Sequence, residues 1–570
     1  MKILGITNTG DSGAALIVDG RIVAAANEER FTRVKLTREF PHHAIEYVLS
    51  SQGLGIEDID WVGSGCWRGI DQTQTLTRLV DDVFDQARSG DPANREQVLN
   101  RLAVTARRDA EFRDAMYQNL DALGVPEERV VVYDHHYSHA LTAYYPSPFD
   151  DALVLVADGR GDCRSVTLWN ASRAGGIELM DSASELTSPG ALYGFITKLL
   201  GFTPDRHEGK ITGLAGHGKL TGAYDVLKSG FFYDEAAGRL RSRIGDLYRP
   251  FAGAEMEALK LALAPYSRED VAFAVQHLLE TTLISFLMRH LGDRPERSVD
   301  LCLAGGCMSN VKLNYELARL APIRNVYVFP QMGDGGSAMG GAIGVAVHRY
   351  GVGRVDLPTV YLGPSYTDDE IGSALTDAGL EHRRIDPAEK AALAAGLIAD
   401  GQIVGWFQGR MEYGPRALGA RSILASATDP ELTTTLNDRL HRTEFMPFAP
   451  VTVPAQAARY FKGWKEDQLA SRFMTICYEC SDDLAGLCPA VVHVDNTARP
   501  QVVFREQNPE YHDVVEHYVG LTGNPMIVNT SFNHHEEPIL NTPSDAVRSL
   551  RRGNVDTLIA GNFVVPAPRE

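Results

Sequence analysis

Short apolar runs separated by polar loops open the chain and predict a strand, a loop and a β-hairpin. The run "KILGIT" is followed by "NTGDSG", then by "AALIV", the turn Asp19-Gly20 and "RIVAAA". Asp-Gly between two apolar runs is a strong hairpin signal, because both residues tolerate the backbone of a tight turn. The same order of strand, Gly/Asp-rich loop and alternating strand recurs in "DALVLVADGRGDCRSVTLW". The pattern therefore predicts an internal duplication.

Helical patterns follow each of these strand units. Residues 70–125, which include "LTRLVDDVFDQARS", are charged and helically patterned, and "EDVAFAVQHLLETTLISFLMRHLG" repeats apolar residues at intervals of three and four. Strands that alternate with helices predict an α/β domain. A duplicated domain of this kind is similar to the actin/hexokinase/sugar-kinase architecture, in which a nucleotide lies between two lobes.

Gly and Pro accumulate in "GVGRVDLPTVYLGPSYTDDE", at residues 351–370, where the periodicity lapses. Such a segment is typical of a domain boundary. We therefore predict two domains, 1–360 and 361–570. The second contains short apolar runs such as "QIVGWF", "FAPVTV" and "PMIVN" with helices between them, which predicts a mixed α/β fold.

Composition and charge narrow the class of protein. The chain has 570 residues, of which 44% are hydrophobic and 23% charged, and its formal net charge is −19. This charge disfavours a nucleic-acid partner, since no long Lys/Arg run offsets it. No signal-peptide pattern opens the sequence, no run of about 20 apolar residues is found, and seven cysteines, an odd number, suit a reducing compartment. We expect a cytoplasmic protein with no membrane partner.

Three histidines crowd one predicted helix entrance, in "YDHHYSHALTAYY". His135 and His139 are spaced i, i+4, so both rings project from one helix face and can present two nitrogens to one ion. Asp158 and Asp334 each follow an apolar strand in a glycine-rich loop. If both loops open onto one cleft, two imidazoles and two carboxylates form a metal site that leaves room for a substrate oxygen. His136 is then a packing or supporting residue.

Glycine-rich segments fit the same cleft. They are "AGGCMSN", "GDGGSAMGG" and "EGKITGLAGHGK". Glycine lets backbone amides approach a phosphate at the N-terminus of a helix. These segments favour a phosphate-bearing ligand in the first domain.

Arginines and short polar side chains mark the second domain. Guanidinium groups in Gly/Pro-shaped loops favour an anion pocket, because they bind phosphate or carboxylate oxygens in a bidentate manner. Asn and Ser side chains after a strand suit a planar amide or carbamate. The candidates are Arg410, Arg416, Arg421, Arg442 and Arg499, followed by Asn529, Thr530, Ser531 and Asn533 in "VNTSFNHHEEPI".

These blocks together resemble the O-carbamoyltransferases of antibiotic tailoring and nodulation-factor synthesis, and the resemblance covers essentially the whole chain. It rests on "GDSGAALIVDGRIVAAANEERFTRVK", "DHHYSHA", "ADGRGD", "LAGGCMSNVKLN", "GDGGSAMGGA", "GRMEYGPRALGARSILA", "MPFAPV", "TARPQ" and "NTSFNHHEEPI". The resemblance implies a duplicated actin-like N-terminal domain. It also implies a mixed α/β C-terminal domain similar to the threonylcarbamoyl-adenylate synthases.

The resemblance also implies a two-step reaction. The C-terminal domain would form carbamoyl adenylate from carbamoyl phosphate and Mg-ATP. In the N-terminal domain a metal held by the His/Asp set would bind this intermediate, and a hydroxyl of a small natural product would take the carbamoyl group and release AMP. The family is expected to use iron(II), although the ligand set alone does not choose among iron, manganese and zinc.

The residues that the resemblance assigns fall into two sets. Those expected to bind carbamoyl adenylate in the first domain are Lys35, Asp158, Gly213, Gly305, Gly306 and Asn310. Those expected to bind carbamoyl phosphate and ATP in the second are Arg416, Arg442, Arg499, Asn529, Ser531 and Asn533.

Two positions depart from the family pattern. Many members carry a histidine in the first hairpin loop, expected to be the base for the acceptor hydroxyl, where this chain has Gly10. Three hypotheses follow: Asp11 serves as the base, a histidine from elsewhere serves, or a more acidic hydroxyl needs less help. Leu36 stands where relatives often carry histidine, and nothing in the sequence indicates the consequence.

Two other functions share parts of this pattern. A tRNA threonylcarbamoyl-type modification enzyme has both domain types, but the acidic charge and the single chain argue against it. A nucleotide-binding regulator of the actin-like superfamily leaves the arginine pocket without a role. The apolar run "LLETTLISFLMRHLG" is compatible with either a core helix or a homodimer interface.

Overall fold

The computed structural model describes residues 1–67, 92–245, 247–248, 256–292, 294–442 and 446–568. The segment "LTRLVDDVFDQARS" lies outside the described residues. The chain forms two compact units: unit 1 comprises Met1–Ile22, Arg38–Pro41 and Leu49–Asp356, and unit 2 comprises Val23–Thr37, His42–Val48 and Leu357–Glu570.

The first sheet has five strands in the order β3-β2-β1-β4-β5. Strand β1 pairs antiparallel with β2 and parallel with β4, and β4 pairs parallel with β5. The strands are β1 (Lys2–Thr7), β2 (Gly13–Val18), β3 (Arg21–Asn27), β4 (Trp61–Ser64) and β5 (Val130–Val132).

The second sheet of unit 1 repeats that order as β8-β7-β6-β11-β12. Strands β6, β7 and β8 pair antiparallel in sequence, and β11 pairs parallel with both β6 and β12. The predicted duplicated α/β domain is therefore confirmed. Its strands are β6 (Asp151–Gly161), β7 (Arg164–Ser172), β8 (Gly176–Ser184), β11 (Val299–Ala304) and β12 (Ile323–Val328), with a separate hairpin of β9 (Phe231–Asp234) and β10 (Arg239–Ser242).

Both units contain helices, which alternate with the strands along the chain. In chain order they are α1 (Glu29–Thr32), α2 (His42–Ser50), α3 (Pro92–Ala122), α4 (His135–Tyr144), α5 (Pro189–Leu199), α6 (Glu208–Ala215), α7 (Gly222–Gly230), α8 (Glu257–Leu263), α9 (Arg268–Leu291), α10 (Val311–Ala318), α11 (Ser337–Tyr350), α12 (Asp368–Asp377), α13 (Pro387–Ala399), α14 (Leu432–Leu440), α15 (Pro454–Tyr460), α16 (Leu484–Leu487), α17 (Pro509–Thr522) and α18 (Pro543–Arg551).

Glycines let helix α11 lie unusually close to the first sheet. A Cβ atom on Gly5 would stand 2.0 Å from the Ala338 carbonyl oxygen, and one on Gly63 would stand 2.0 Å from the Gly341 carbonyl oxygen. Any larger residue at either strand position would push the helix away. This contact fixes the N-terminal end of α11, directly after Asp334.

Helix α9 is long and apolar enough to cross a membrane by length and composition, with a mean hydropathy of 1.5 in its most apolar window. The expectation that no segment reaches this length was therefore wrong. In the structure 61% of that window is buried, and the helix packs against α5, α6 and α7. This burial is what a core helix of a folded α/β unit shows.

Unit 2 contains one mixed sheet of eight strands in the order β13-β22-β21-β14-β15-β20-β16-β19. Helices α13 and α17 pack together over it, and their apolar faces join Trp406, Leu424 and Ile527 in one buried cluster. The strands are β13 (Arg383–Arg384), β14 (Val404–Phe407), β15 (Arg421–Ser426), β16 (Ala449–Thr452), β19 (Gln501–Val502), β20 (Ile527–Ser531), β21 (Thr557–Ala560) and β22 (Phe563–Pro566), beside a two-stranded sheet of β17 (Tyr478–Glu479) and β18 (Thr497–Ala498).

Residues 23–37 and 42–48 cluster with unit 2, whereas the division at 360 places them in the first domain. Arginine side chains connect these residues to the rest of unit 2. The guanidinium of Arg30 donates to the Gly414 carbonyl at 2.8 Å, and that of Arg33 donates to the Ile539 and Pro538 carbonyls at 2.8 and 2.7 Å. The segment that carries Lys35 is thus held to unit 2 by long-range contacts that no local pattern reveals.

Candidate metal centre and anion site

Helix α4 begins at the histidine-rich stretch because two aspartates cap it. The Asp134 carboxylate accepts a hydrogen bond from the Tyr137 amide at 2.9 Å, and Asp162 accepts one from the His135 amide at 2.8 Å. Capping of this kind satisfies amides that the first helical turn leaves unbonded. The caps fix the rotation of the helix, so His135 and His139 face the interior together and both are fully buried.

The predicted set of two histidines and two aspartates converges at one point. His135 Nε2 lies 3.1 Å from an Asp158 oxygen and 3.4 Å from an Asp334 oxygen. His139 Nε2 lies 3.5 and 3.7 Å from the same two oxygens, and 3.2 Å from His135 Nε2. All four donor atoms lie within 4.8 Å of one another, so the set could hold a metal ion.

Each carboxylate directs one oxygen to backbone amides and the other to the imidazoles. Asp158 Oδ1 accepts from the amides of Gly159 and Gly306 at 2.7 and 3.2 Å. Asp334 Oδ2 accepts from the amide of Gly10 at 3.2 Å. The remaining oxygens are therefore oriented toward the cluster before any ligand arrives, as a metal site requires.

Mutual electrostatics stabilise the charged forms of these groups. Burial opposes ionisation of Asp158, but the two histidines hold the pKa of its carboxyl well below the usual value. Burial likewise opposes protonation of His135, yet Asp334 and Asp158 hold its pKa well above the usual value. The charges of the two buried carboxylates are balanced either by protons on the imidazoles or by a bound cation. A divalent metal site has this electrostatic environment.

His136 takes no part in the cluster. Its ring is buried, Nδ1 lies 3.3 Å from the Thr167 hydroxyl on β7, and burial lowers its pKa to about 3. The neutral ring therefore packs against the second sheet.

Three other residues predicted to bind carbamoyl adenylate in the first domain make defined contacts in the structure. Gly306 directs its amide to Asp158, and Gly305 has φ 96° in close contact with the Ala157 carbonyl. Asn310 caps α10, and its amide also bonds Gln276 and Thr212.

The structure assigns no ligand contact to the other residues that were predicted in the first domain. Gly213 lies buried in α6, and Asp11 accepts a hydrogen bond from the Gln331 side chain at 3.2 Å. Lys35 belongs to the segment that clusters with unit 2. Ligand binding by these residues stays a prediction.

Gly10 is the residue at this site whose contribution the sequence did not predict. Besides donating to Asp334, it leaves room for that carboxylate: a Cβ atom at position 10 would lie 2.3 Å from Asp334 Oδ2. A side chain there would displace the aspartate. Gly10 begins the segment "GDSG", where the departure from the family pattern drew attention to it, but only the three-dimensional contact explains why glycine occupies the position.

In unit 2, Asn529 on β20 presents a buried carbonyl oxygen. Its amide nitrogen donates to the Ala417 carbonyl at 3.0 Å and to Gln501 Oε1 at 2.8 Å, which fixes the orientation of the amide group. Its Oδ1 has no hydrogen-bond partner within the described ranges, although the residue is 1% exposed. A buried acceptor of this kind is costly unless a ligand donates to it.

Arg416 and Arg499 oppose each other electrostatically. Burial holds the pKa of the Arg416 guanidinium well below its usual value, and the positive charge of Arg499 lowers it further. Two cations in this state are stabilised by an anion. Binding of an anion by these two arginines stays a prediction.

Arg442 holds the loop after β20 together. Its guanidinium donates to the Thr530 hydroxyl at 2.9 Å, to the Ser531 carbonyl at 2.8 Å and to the Asn533 carbonyl at 2.9 Å. It therefore orders the predicted Ser531 and Asn533.

Two other arginines of the predicted anion pocket have structural roles instead. Arg421 is fully buried, lies 3.8 Å over the Phe407 ring and donates to the Gln408 and Pro364 carbonyls. Arg410 donates to the Leu362 carbonyl at 2.6 Å, among other carbonyls. Their guanidinium groups donate to main-chain oxygens, and anion binding by them stays a prediction.

The sequence matches two family models. A model described as the carbamoyltransferase N-terminus matches residues 2–343, and one described as the carbamoyltransferase C-terminus matches residues 395–566. The chain belongs to the carbamoyltransferase family. It is therefore a carbamoyltransferase enzyme, and the predicted resemblance is confirmed.

Curated relatives match this carbamoyltransferase over nearly its full length. An uncharacterised protein of Synechocystis is 31% identical over 99% of this chain and 96% of the relative. Nodulation protein NolNO of Sinorhizobium fredii is 31% identical over 97% of this chain and 78% of the relative. Among solved structures, HypF of T. kodakarensis covers 62% of this chain and 48% of its own at 12% identity and a TM-score of 0.31, a likeness too weak to support a conclusion.

Proposed function

We propose that this carbamoyltransferase is an ATP-dependent O-carbamoyltransferase that forms carbamoyl adenylate in its C-terminal part and transfers the carbamoyl group in its N-terminal part. The observation that carries this proposal is the convergence of His135, His139, Asp158 and Asp334 in a family of carbamoyl-transferring enzymes. Such a buried set can hold a cation, and the chemistry of an acyl transfer can use one.

The residues of unit 2 suit a carbamoyl group and its phosphates. A carbamate presents one NH₂ group, which can donate to the unbonded Oδ1 of Asn529. The guanidinium groups of Arg416 and Arg499 would neutralise phosphate oxygens, and this relieves the repulsion between them. Arg442 would act indirectly, by holding Ser531 and Asn533 in place.

The proposed first reaction balances as follows. Water cleaves carbamoyl phosphate into carbamate and phosphate. A carbamate oxygen then bonds to the α-phosphorus of Mg-ATP, and the bond to the β-phosphate breaks to release pyrophosphate. The product is carbamoyl adenylate, a mixed anhydride that hydrolyses readily in water.

In the second reaction an acceptor hydroxyl oxygen bonds to the carbamoyl carbon and AMP leaves. A divalent ion, which we propose to be iron(II), would supply Lewis-acid stabilisation of negative charge when bound at the four-residue cluster. Asp158 and Asp334 would stay ionised, because backbone amides and imidazoles favour their charged forms. Asp11 would take the proton of the hydroxyl, since a side chain at position 10 has no room.

The proposed acceptor is a hydroxyl of a small natural product. Relatives named as nodulation proteins support a small-molecule acceptor, and no long basic run is available to bind a nucleic acid. The AMP of carbamoyl adenylate would contact Gly213, Gly305, Gly306 and Asn310. We further propose a cytoplasmic location, where ATP and carbamoyl phosphate are found.

The test is turnover with defined components. The full chain, reconstituted with iron(II) without oxygen, is incubated with ATP, carbamoyl phosphate and a panel comprising an aminoglycoside, a macrolide and a chitin oligosaccharide. Mass spectrometry should detect AMP and an acceptor that has gained one carbamoyl group in equal amounts. Formation of ADP in place of AMP, or no gain of a carbamoyl group with any acceptor, would contradict the proposal.

A further inference from the structure

A series of buried hydrogen bonds in unit 2 leads from the main chain through Gln501 to the side chain of Asn529. We propose that Gln501 is a positioning residue for the first reaction, and that it acts by fixing the direction of the Asn529 amide group. This inference rests on the proposed function, in which Asn529 Oδ1 accepts a hydrogen bond from the carbamoyl NH₂ group. Gln501 was not among the residues predicted to bind a substrate, and it needs no substrate contact for this role.

Gln501 and Asn529 lie on the same face of the eight-stranded sheet. Strand β16 separates β19, which begins at Gln501, from β20, which contains Asn529. Asn529 is opposite Ala449 of β16, and Gln501 is opposite Val451, two residues further along that strand. Because alternate residues of a strand share a face, both amide side chains project to the same side and meet across β16. They are 3% and 1% exposed, respectively, so water does not replace their hydrogen bonds.

Both hydrogens of the Asn529 NH₂ group are used. Nδ2 donates to the Ala417 carbonyl at 3.0 Å and to Gln501 Oε1 at 2.8 Å. Gln501 Nε2 in turn donates to the Leu418 carbonyl at 2.8 Å. A main-chain carbonyl can only accept, so turning either amide group over would place two acceptor oxygens against each other. Oδ1 is therefore the side-chain atom of Asn529 that is left for a ligand, and it has no partner among the residues that the structure describes.

The Leu418 carbonyl, to which Gln501 bonds, belongs to a residue that is held on two sides. The Leu418 amide donates to Glu412 Oε1 at 2.6 Å, and Glu412 is 2% exposed. The Tyr361 hydroxyl donates to the Leu418 carbonyl at 2.8 Å, beside the bond from Gln501. The carbonyl thus has a fixed direction, and Gln501 orients Asn529 relative to it.

Gln501 supplies one of the two acceptors that hold the Asn529 NH₂ group in place. Without it, the Ala417 carbonyl alone would oppose rotation of the amide. In the rotated amide an NH₂ group would face the carbamoyl NH₂ group, and two donors cannot bond each other. A misaligned or lost hydrogen bond at a buried site typically costs about tenfold in an equilibrium constant. The loss should appear in the use of carbamoyl phosphate and not in the binding of ATP.

The test measures exchange of radioactive pyrophosphate into ATP with carbamoyl phosphate present. Gln501→Met keeps the length of the side chain and removes both hydrogen bonds. We expect kcat/KM for carbamoyl phosphate to fall about tenfold, with KM for ATP within twofold of wild type. If this variant does not fold, Gln501→Asn, which is too short to bond both partners, replaces it with the same expectation.

Gln408→Met is the matched control. Gln408 is 8% exposed, donates to the Ile559 and Gly561 carbonyls at 3.3 and 3.1 Å, and accepts from Lys390 at 3.0 Å. The two substitutions remove the same kind of bonds from buried positions, so a loss of stability alone would affect both enzymes alike. We expect kcat/KM for carbamoyl phosphate to stay within twofold of wild type in the control.

A double-mutant cycle shows whether Gln501 acts through Asn529. Asn529→Leu should lower kcat/KM for carbamoyl phosphate about ten- to hundredfold, and adding Gln501→Met should lower it less than twofold further. Losses that multiply in the double variant would overturn the inference, as would a Gln501→Met enzyme within twofold of wild type. A wild type without exchange that depends on carbamoyl phosphate would contradict the proposed function itself, and the inference with it.

Discussion

The two candidate sites of this molecule differ in how directly their residues converge. In unit 1 four donor atoms meet within 4.8 Å, and backbone amides orient each carboxylate. In unit 2 the arginines divide into those that repel each other, Arg416 and Arg499, and those, such as Arg421, that bind main-chain carbonyls. The backbone largely fixes where a short side chain lies. The role of a long arginine side chain depends instead on which oxygen atoms it reaches.

The largest effect should follow removal of one imidazole from the cluster. We expect His139→Asn to lower carbamoyl transfer by at least about a hundredfold, because the loss of a metal ligand exceeds the ten- to hundredfold loss typical of residues that only support ligands. His136→Asn, on the same helix but facing Thr167, is the control. Elemental analysis should show that the ion is lost from the first variant and retained in the second. Equal metal content in wild type and His139→Asn would break the comparison between the two units.

The next effect concerns the carboxylate orientation in unit 1. In Gly10→Ala the new Cβ would lie 2.3 Å from Asp334 Oδ2, so the carboxylate must move. We expect about a ten- to hundredfold loss of transfer and of metal affinity. Gly333→Ala, next to the same aspartate, meets no atom within 4 Å and should behave as wild type. A Gly10→Ala enzyme with wild-type affinity for iron(II) would show that this contact does not orient Asp334.

Unit 2 can be tested by contrasting two of its arginines. Arg416→Gln should lower the exchange of radioactive pyrophosphate into ATP, measured with carbamoyl phosphate present, by about a hundredfold, since it removes one anion donor. Thermal stability should not fall, because the substitution relieves repulsion with Arg499. Arg421→Gln should instead lower Tm by about 5 °C, because its carbonyl contacts are lost. Similar Tm losses in both variants would contradict the division of roles.

How much of this could be predicted from the sequence depended on the range of the interaction. The i, i+4 spacing of His135 and His139 and the position of Asp158 directly after an apolar run are local, so the cluster was predicted residue by residue, although β6 continues past Asp158 to Gly161. Arg421 follows Arg416 by five positions in the sequence, and only the fold shows that it begins β15 and contacts Phe407 and main-chain carbonyls. Long-range packing of this kind leaves no periodic signal.

Contacts between distant segments were missed for the same reason. The Arg33 contacts that attach residues 23–37 to unit 2 span more than 500 positions. The contact of Gly10 with Asp334 spans 324. No pattern of apolar and polar positions reports such pairs, so both required the structure.

The smallest effect concerns stability rather than either reaction. Burial raises the pKa of Glu208, at the start of α6, to about 7 from 4.5. The charged form is therefore disfavoured in the folded chain, and stability is lost as pH rises from about 4.5 to 7. We expect Glu208→Gln to be more stable than wild type by about 2 kcal/mol at pH 6 and nearly equal at pH 4, since one pKa unit corresponds to ~1.4 kcal/mol. Thermal unfolding checks this, with exposed Glu128→Gln as control; a pH-independent difference would contradict it.

The central claim is that four side chains distant in sequence hold one ion. X-ray absorption spectroscopy of the iron(II)-loaded full chain tests it most directly. We expect a shell of nitrogen and oxygen ligands only, with the multiple scattering of two imidazoles, and loss of this imidazole signal in His139→Asn, which no longer retains the ion. A sulfur ligand, or a spectrum that His139→Asn leaves unchanged, would contradict it.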